Sequence, residues 1–486
     1  MTAQSNHKNL TRPRAKLGAQ IALETKILTE HCDLLIEPRW LIPVQPEGVV
    51  LEHYALAVRA DKIIAIGPVA ELRARFNATT TLVRPEHALI PGLVNAHVHA
   101  AMTLLRGLAD DYALMPWLND HMWPAEARWL SPEFVKDGTT LAIAEQFSCG
   151  ITTMNETYFF PDVAAEVALQ YGMRASVGAP IIEFPTAWAP DIDGYFSKAK
   201  IFLEQYKNHP MIHATLAPHA PYTVSNTSFE KIAQLSHDYR AVVHCHVHET
   251  AQEIQDSQSQ YGMRPLARLA QLGLVNSKLA AVHMTQLLPA EIEQLAAAGT
   301  SVLHCPESNL KLASGFCPAD ALVKAGVNLA LGTDGCASNN DLDLLGELKT
   351  AAMLAKVVAN DATALSAPKA LTMATLGGAR ALGLSDSIGS LQVGKQADLT
   401  LISFADFDAL PVYNPISHVV YSNHRRQVSD VFVAGKARML AHQLQGFDLP
   451  ALKANAQAWG QKIWNHKISG TSTCYRNRSD KSKNVK

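Results

Sequence analysis

Pro91-Gly92-Leu93-Val94-Asn95-Ala96-His97-Val98-His99 is a short apolar run opened by Pro-Gly and closed by two histidines one residue apart. Such a run reads as a strand, in which residues i and i+2 point to the same face. His97 and His99 can then grip one ion, and imidazole suits zinc, iron, copper or nickel. A His-x-His pair alone is a weak signal. Its weight depends on whether further ligands, a base and an acid stand at compatible places.

Moving outward, residues from 89 to 389 alternate apolar runs with helical stretches rich in Ala, Leu, Glu and Lys. The runs are Gly92–Ala96, Gly150–Met154, Ala175–Ile182, Ile212–Ala217, Ala241–Cys245, Ala280–His283, Ser301–His304 and Val327–Leu331. Near-continuous apolar strands alternating with helices indicate a parallel sheet covered on both faces. Eight such units predict an α/β fold, a (β/α)8 TIM barrel, whose chemistry gathers at the C-terminal ends of its strands.

On either side lie short β-type runs: Cys32–Ile36, Tyr54–Val58 and Lys62–Gly67 before, Ala397–Ile402 and Val431–Lys436 after. They predict one small β-sandwich domain made from both ends of the chain, residues 29–88 and 390–445. Residues 1–28 read as a mobile leader. Residues 446–470 read as a C-terminal helix carrying Trp459 and Trp464, and the polar, basic residues 471–486 as a disordered tail.

The totals fit an ordinary globular protein: 486 residues, 48% hydrophobic, 18% charged. A net charge of −2 gives no reason to expect a polyanion-binding surface. Seven cysteines without a C-x-x-C fit a reducing compartment. Neither a membrane span nor a signal-peptide core is visible. The expectation is a soluble, cytoplasmic protein with no membrane or nucleic-acid partner.

His97 and His99 end the first run, His283 the sixth and Asp334 the eighth. His246 lies at the end of the fifth, between His244 and His248. Three imidazoles and a carboxylate with a position left for water describe a catalytic metal site, not a closed structural one. Spacing does not choose among His244, His246 and His248, since all three share a face. Glu249, beside them at the mouth, can shuttle protons.

Several further motifs appear in order: Leu104-Leu105-Arg106-Gly107, Trp123-Pro124-Ala125-Glu126 and Ala217-Pro218-His219-Ala220-Pro221-Tyr222. His246-Val247-His248-Glu249-Thr250, Pro306-Glu307-Ser308-Asn309-Leu310-Lys311-Leu312 and Leu331-Gly332-Thr333-Asp334-Gly335-Cys336-Ala337-Ser338-Asn339-Asn340 follow. With the opening stretch, they make the chain resemble the amidohydrolase superfamily from about residue 30 to 440. Within it, the likeness is to methylthioadenosine/S-adenosylhomocysteine deaminases and their chlorohydrolase relatives.

That resemblance implies metal ligands His97, His99, His246 and Asp334 around one zinc per subunit, with iron or another divalent metal as alternatives. No lysine ends the fourth run, which speaks against a two-metal centre. It implies catalytic roles for Glu249, His283 and Asp334. Asp334 takes a proton from the attacking water, Glu249 protonates a substrate ring nitrogen, and His283 steadies the developing oxygen charge. Glu126 and His219 match positions that hold a nucleoside, alongside Glu249 and Asp334, and a homo-oligomer is implied.

One departure narrows the substrate. Members that take S-adenosylhomocysteine carry arginines at and after the third strand end. Here Ala179 stands at the first such position, and Ile181–Trp188 has no basic residue. A buried carboxylate without a cation is poorly stabilised. The expectation is deamination of 5′-methylthioadenosine, and of adenosine, ahead of S-adenosylhomocysteine. The alternatives are an S-adenosylhomocysteine deaminase, a deaminase or chlorohydrolase of a guanine derivative, pterin or triazine, and a metal-free structural relative. A nucleic-acid deaminase would need an H-x-E…P-C-x-x-C signature, which is missing.

Overall fold

The computed structural model describes residues 29–422 and 424–479, with side chains to 466. The leader 1–28 lies outside the described residues. Eight parallel strands stand in sequential order: Leu93–Val98, Ile151–Glu156, Arg174–Ile181, Ile212–Pro218, Val243–Val247, Leu279–His283, Ser301–His304 and Asn328–Leu331. Each coincides with one of the eight apolar runs. Between them run helices with ordinary stop and start signals. Ser131, Asp191, Ser225 and Thr250 cap helix N-termini with their side chains, and Gly172, Gly262 and Gly299 end helices in the left-handed region.

The seam between strands one and eight closes the barrel. Asp334 N donates to His97 O at 3.0 Å. Asn95, the polar residue inside the opening stretch, joins the two ends with its side chain. Its Nδ2 donates to Thr333 Oγ1 at 2.9 Å, and Thr333 N donates to its Oδ1 at 3.0 Å. Gly332 permits this approach, because a Cβ there would meet the His97 Cβ at 2.6 Å. The seam therefore sets the distance between His97 and Asp334.

A nine-stranded mixed sheet holds the remaining strands. Strand Phe76–Pro91 pairs in parallel with Glu30–Leu41 and antiparallel with Leu399–Ser403. Strands from both sides of the barrel segment thus meet in the small β-sandwich domain. Leu34, Ile36, Leu56, Leu89, Leu399, Leu401 and Phe432 share its core. The boundary expected at residue 88 falls inside the strand Phe76–Pro91, because Ala88-Leu89-Ile90 continue its pairing. The C-terminal helix Leu449–Ser479 passes the expected end at 470, with no proline after Pro450 to stop it; residues 480–486 lie outside the described residues. No helix among the described residues is long and apolar enough to cross a membrane.

The small sheet docks on the barrel end opposite the histidines. Arg174, at the start of the third barrel strand, donates from Nε to Asp398 Oδ2 at 2.6 Å and from Nη2 to Oδ1 at 3.1 Å. Both side chains are buried, so losing one partner leaves the other charge without compensation. Asp398→Ala should cost about 3–5 kcal/mol, read as a lower midpoint of denaturant unfolding. A loss below about 1 kcal/mol would remove this pair from the account.

Candidate metal centre and active site

His97, His99, His246, His283 and Asp334 all stand at the C-terminal ends of barrel strands. His97 Nε2 lies 3.1 Å and His99 Nε2 3.4 Å from Asp334 Oδ1. His99 Nδ1 donates to Thr157 O at 2.8 Å, and His246 Nδ1 donates to His219 O at 2.6 Å. Both rings therefore turn an Nε2 lone pair inward. His97 Nδ1 sits 2.9 Å from Nε2 of His244, and the two rings stack at 4.8 Å. When His97 Nδ1 is the donor, its Nε2 also presents a lone pair.

Ligand atoms come within 4.8 Å of one another in two triads, His97-His99-Asp334 and His97-His246-His283. Burial pushes His97 down to about 4 and lowers His99 and His246 as well. These imidazoles are neutral at pH 7. Burial alone would raise the Asp334 carboxyl, but the surrounding imidazoles, His97 first, outweigh it and hold the group well below the usual carboxylate range. Inward-turned imidazole nitrogens and an ionised oxygen converge, with His97 Nε2 at hydrogen-bond distance from Asp334 Oδ1. Such a donor set fits a divalent cation.

Asp334 is held in place tightly. Its Oδ2 accepts from Ser308 Oγ and Ser338 Oγ, both at 2.7 Å, and its Oδ1 from Gly335 N at 2.8 Å. Its backbone is left-handed, φ +61°, and so is that of His283, φ +73°. Residues other than glycine rarely adopt this region, and such strain gathers at functional sites.

His283 Nδ1 donates to Asn309 Oδ1 at 2.9 Å, and its Nε2 lies 3.7 Å from Glu249 Oε2. Glu249 Oε1 accepts from Ser314 Oγ at 3.2 Å. The turn carrying Glu249 is fixed by Glu253, whose carboxylate accepts from His248 N at 3.1 Å and Glu249 N at 2.7 Å. Burial raises the Glu249 carboxyl, which favours a proton on it.

These groups floor a cavity of about 920 Å³, counting the part open to solvent. Its walls include Trp117, Met122, Trp123, Phe159, Phe184 and Tyr222. Glu126 and His219 both line it. Glu126 comes from the helix Trp123–Trp129, and burial raises its carboxyl to about 7. His219 follows the fourth strand, with Nδ1 2.9 Å from Thr223 Oγ1. An outer cavity shares Leu114, Trp123, Glu126, Phe159, Phe184 and Tyr222 with the inner one. Among the described residues, no lysine or arginine lines either cavity.

Two sequence expectations need correction. His248 does not stay on the face of His244 and His246. Its φ of +54° turns the chain, and its buried ring accepts from Leu266 N at 3.0 Å. Ala179 does not face the cavity. Gly178 pairs with Thr215 and would put a Cβ against the side chains of Thr157 and Thr215 inside the barrel, so its neighbour Ala179 points outward. Pro180, Ile182 and Phe184 face the cavity instead. Sequence reasoning also missed Ser308, Ser314, Ser338 and Tyr158 as supports. Ser308 and Ser338 lie inside quoted motifs, whereas no local pattern marks Tyr158.

A family model described as the amidohydrolase family matches residues 88–438. The chain belongs to the amidohydrolase family. It is a hydrolase acting on C–N bonds. Over 435 residues this amidohydrolase is 44% identical to a 5-methylthioadenosine/S-adenosylhomocysteine deaminase of Teredinibacter turnerae, covering 90% of this chain and 98% of that one. A zinc-bound crystal structure of an adenosine deaminase from Xanthomonas campestris is 56% identical, with TM-score 0.89 over 90% of this chain and 100% of that one. The zinc complex of atrazine chlorohydrolase from Arthrobacter aurescens, 24% identical with TM-score 0.82 over 88% and 99% of the two chains, shares the fold.

Removing the hydroxyls on Asp334 should weaken this amidohydrolase's hold on metal. The double variant Ser308→Ala/Ser338→Ala is expected to lose about 10–100-fold in metal affinity, measured by competition with a chromogenic chelator. Unchanged affinity would mean that the two serines do not orient the ligand.

Proposed function

We propose that this chain is a zinc-dependent deaminase of adenine nucleosides without an anionic 5′ group, acting on 5′-methylthioadenosine and adenosine ahead of S-adenosylhomocysteine. The observation that carries the substrate reading is a site cavity, with its outer continuation, whose described lining contains no lysine or arginine. A substrate carboxylate would find no cation there, and Glu183 adds a like charge to the outer wall. The similarity to proteins named as deaminases of adenosine and of methylthioadenosine supports the ring.

In this reading His97, His99, His246 and Asp334 hold one ion, zinc by analogy with the zinc-bound neighbours, though the donor set also suits iron. The ion, when bound, lowers the pKa of a water to about 7 and so supplies the nucleophile at neutral pH. Asp334 accepts the proton of that water, its charge sustained by Ser308 and Ser338. Glu249, protonated more readily because it is buried, gives a proton to a purine ring nitrogen and makes the amino-bearing carbon electrophilic. His283, held by Asn309, faces the oxygen as charge builds on it. A C–O bond forms, Asp334 passes its proton to the amino nitrogen, the C–N bond breaks with release of ammonia, and Glu249 recovers its proton from the added oxygen as that becomes a carbonyl. Glu126 accepts from the ribose hydroxyls, and His219 presents Nε2 to the nucleoside.

Ammonia release from adenosine, 5′-methylthioadenosine, S-adenosylhomocysteine, guanine and a pterin tests the substrate reading. Activity should be highest on the first two; a higher kcat/KM for S-adenosylhomocysteine than for methylthioadenosine contradicts it. Glu249→Gln should keep its metal, by elemental analysis, and lose about 10²–10⁴-fold in kcat; near-normal turnover sinks the assigned role. Glu126 accepts best as the carboxylate, and its pKa is raised to about 7. KM for ribonucleosides should therefore rise as pH falls through 7. A KM flat from pH 6 to 8 would deny Glu126 that part.

A further inference from the structure

Glu126 reaches the cavity from outside the barrel, on the helix Trp123–Trp129, so something must fix its carboxylate relative to the metal centre. Tyr158, two residues beyond the second barrel strand, donates its hydroxyl to Glu126 Oε1 at 2.7 Å. Its side chain is buried, with ring neighbours His99 at 6.1 Å and Phe159 at 5.3 Å. The preceding residue supplies Thr157 O, which accepts from His99 Nδ1 at 2.8 Å. Two consecutive residues thus hold both groups: Thr157 orients a candidate metal ligand, and Tyr158 orients Glu126.

We propose that Tyr158 is the positioning residue for recognition of the ribose cis-diol. This rests on the reading of Glu126 given above. A carboxylate offers about four lone-pair sites on two oxygens. The phenol occupies one on Oε1 and leaves Oε2 and the rest of Oε1 for two sugar hydroxyls. A phenol suits the task because it supplies one hydrogen from a rigid ring with few rotatable bonds. It also gives a half-buried carboxylate a donor before substrate arrives, which limits the cost of its desolvation. The metal-to-diol distance then becomes a property of one strand end, and the scissile carbon is placed by the sugar as well as by the ring.

The test compares adenosine with 2′,3′-dideoxyadenosine, as substrates and as competitive ligands, in the metal-loaded wild-type enzyme, Tyr158→Phe and Glu126→Gln. Tyr158→Phe keeps the ring that packs against Phe159 and removes only the hydroxyl; metal content and thermal unfolding check that the variant is intact. Tyr158→Phe should raise KM for adenosine about 10-fold, change kcat little, and leave the dideoxy nucleoside unaffected. An equal loss on both nucleosides, or no loss on adenosine while Glu126→Gln discriminates between them, overturns the role of Tyr158 and leaves that of Glu126 standing. If Glu126→Gln treats the two nucleosides alike, the reading of Glu126 fails and takes this inference with it.

Discussion

Buried lone pairs facing a buried carboxylate set the terms for this molecule. Burial keeps the imidazoles of His97, His99 and His246 neutral, and backbone carbonyls take the Nδ1 hydrogens of His99 and His246. Asp334 stays ionised among them. Left alone, such a cluster is unfavourable; a cation turns the same geometry into a binding site. The surrounding structure works to hold that geometry. Asn95 and Thr333 close the barrel seam, Gly332 lets the eighth strand approach His97, and a left-handed Asp334 aims its carboxylate inward.

Three carboxyl groups around the cavity differ by environment. Asp334, among imidazoles and serine hydroxyls, is pushed down; Glu249, buried with one hydroxyl donor, is pushed up; Glu126 rises to about 7. Groups separated in this way can divide the work of accepting protons, delivering them and binding neutral hydroxyls. The small β-sandwich domain stays clear of this chemistry. It joins the strands that flank the barrel segment and anchors the opposite end of the barrel through Arg174 and Asp398.

Much of this was legible in the sequence because it is local and periodic. Each of the eight apolar runs became a barrel strand, and strand ends located the histidines and Asp334. Alternation fails as a guide once the backbone leaves the strand. His248 illustrates this, since a left-handed turn takes its ring off the face it would otherwise share with His246. Ala179 shows a second limit: a one-residue error in register reverses which side chain enters the cavity. The proposed substrate preference then rests on other residues, Pro180, Ile182 and Phe184, which are uncharged as well. Long-range partners left no trace in the local pattern. Asn95 and Thr333 are 238 residues apart, and Tyr158 is 32 from Glu126.

The most direct test is a crystal structure of the metal-loaded protein with anomalous data at the absorption edge of the bound metal. The account predicts one ion within about 2.0–2.2 Å of Nε2 of His97, His99 and His246 and of an Asp334 oxygen, with His283 turned toward Glu249 and not bound. An ion held by His97, His246 and His283 with Asp334 out of reach, or an active enzyme without metal at this point, would contradict it.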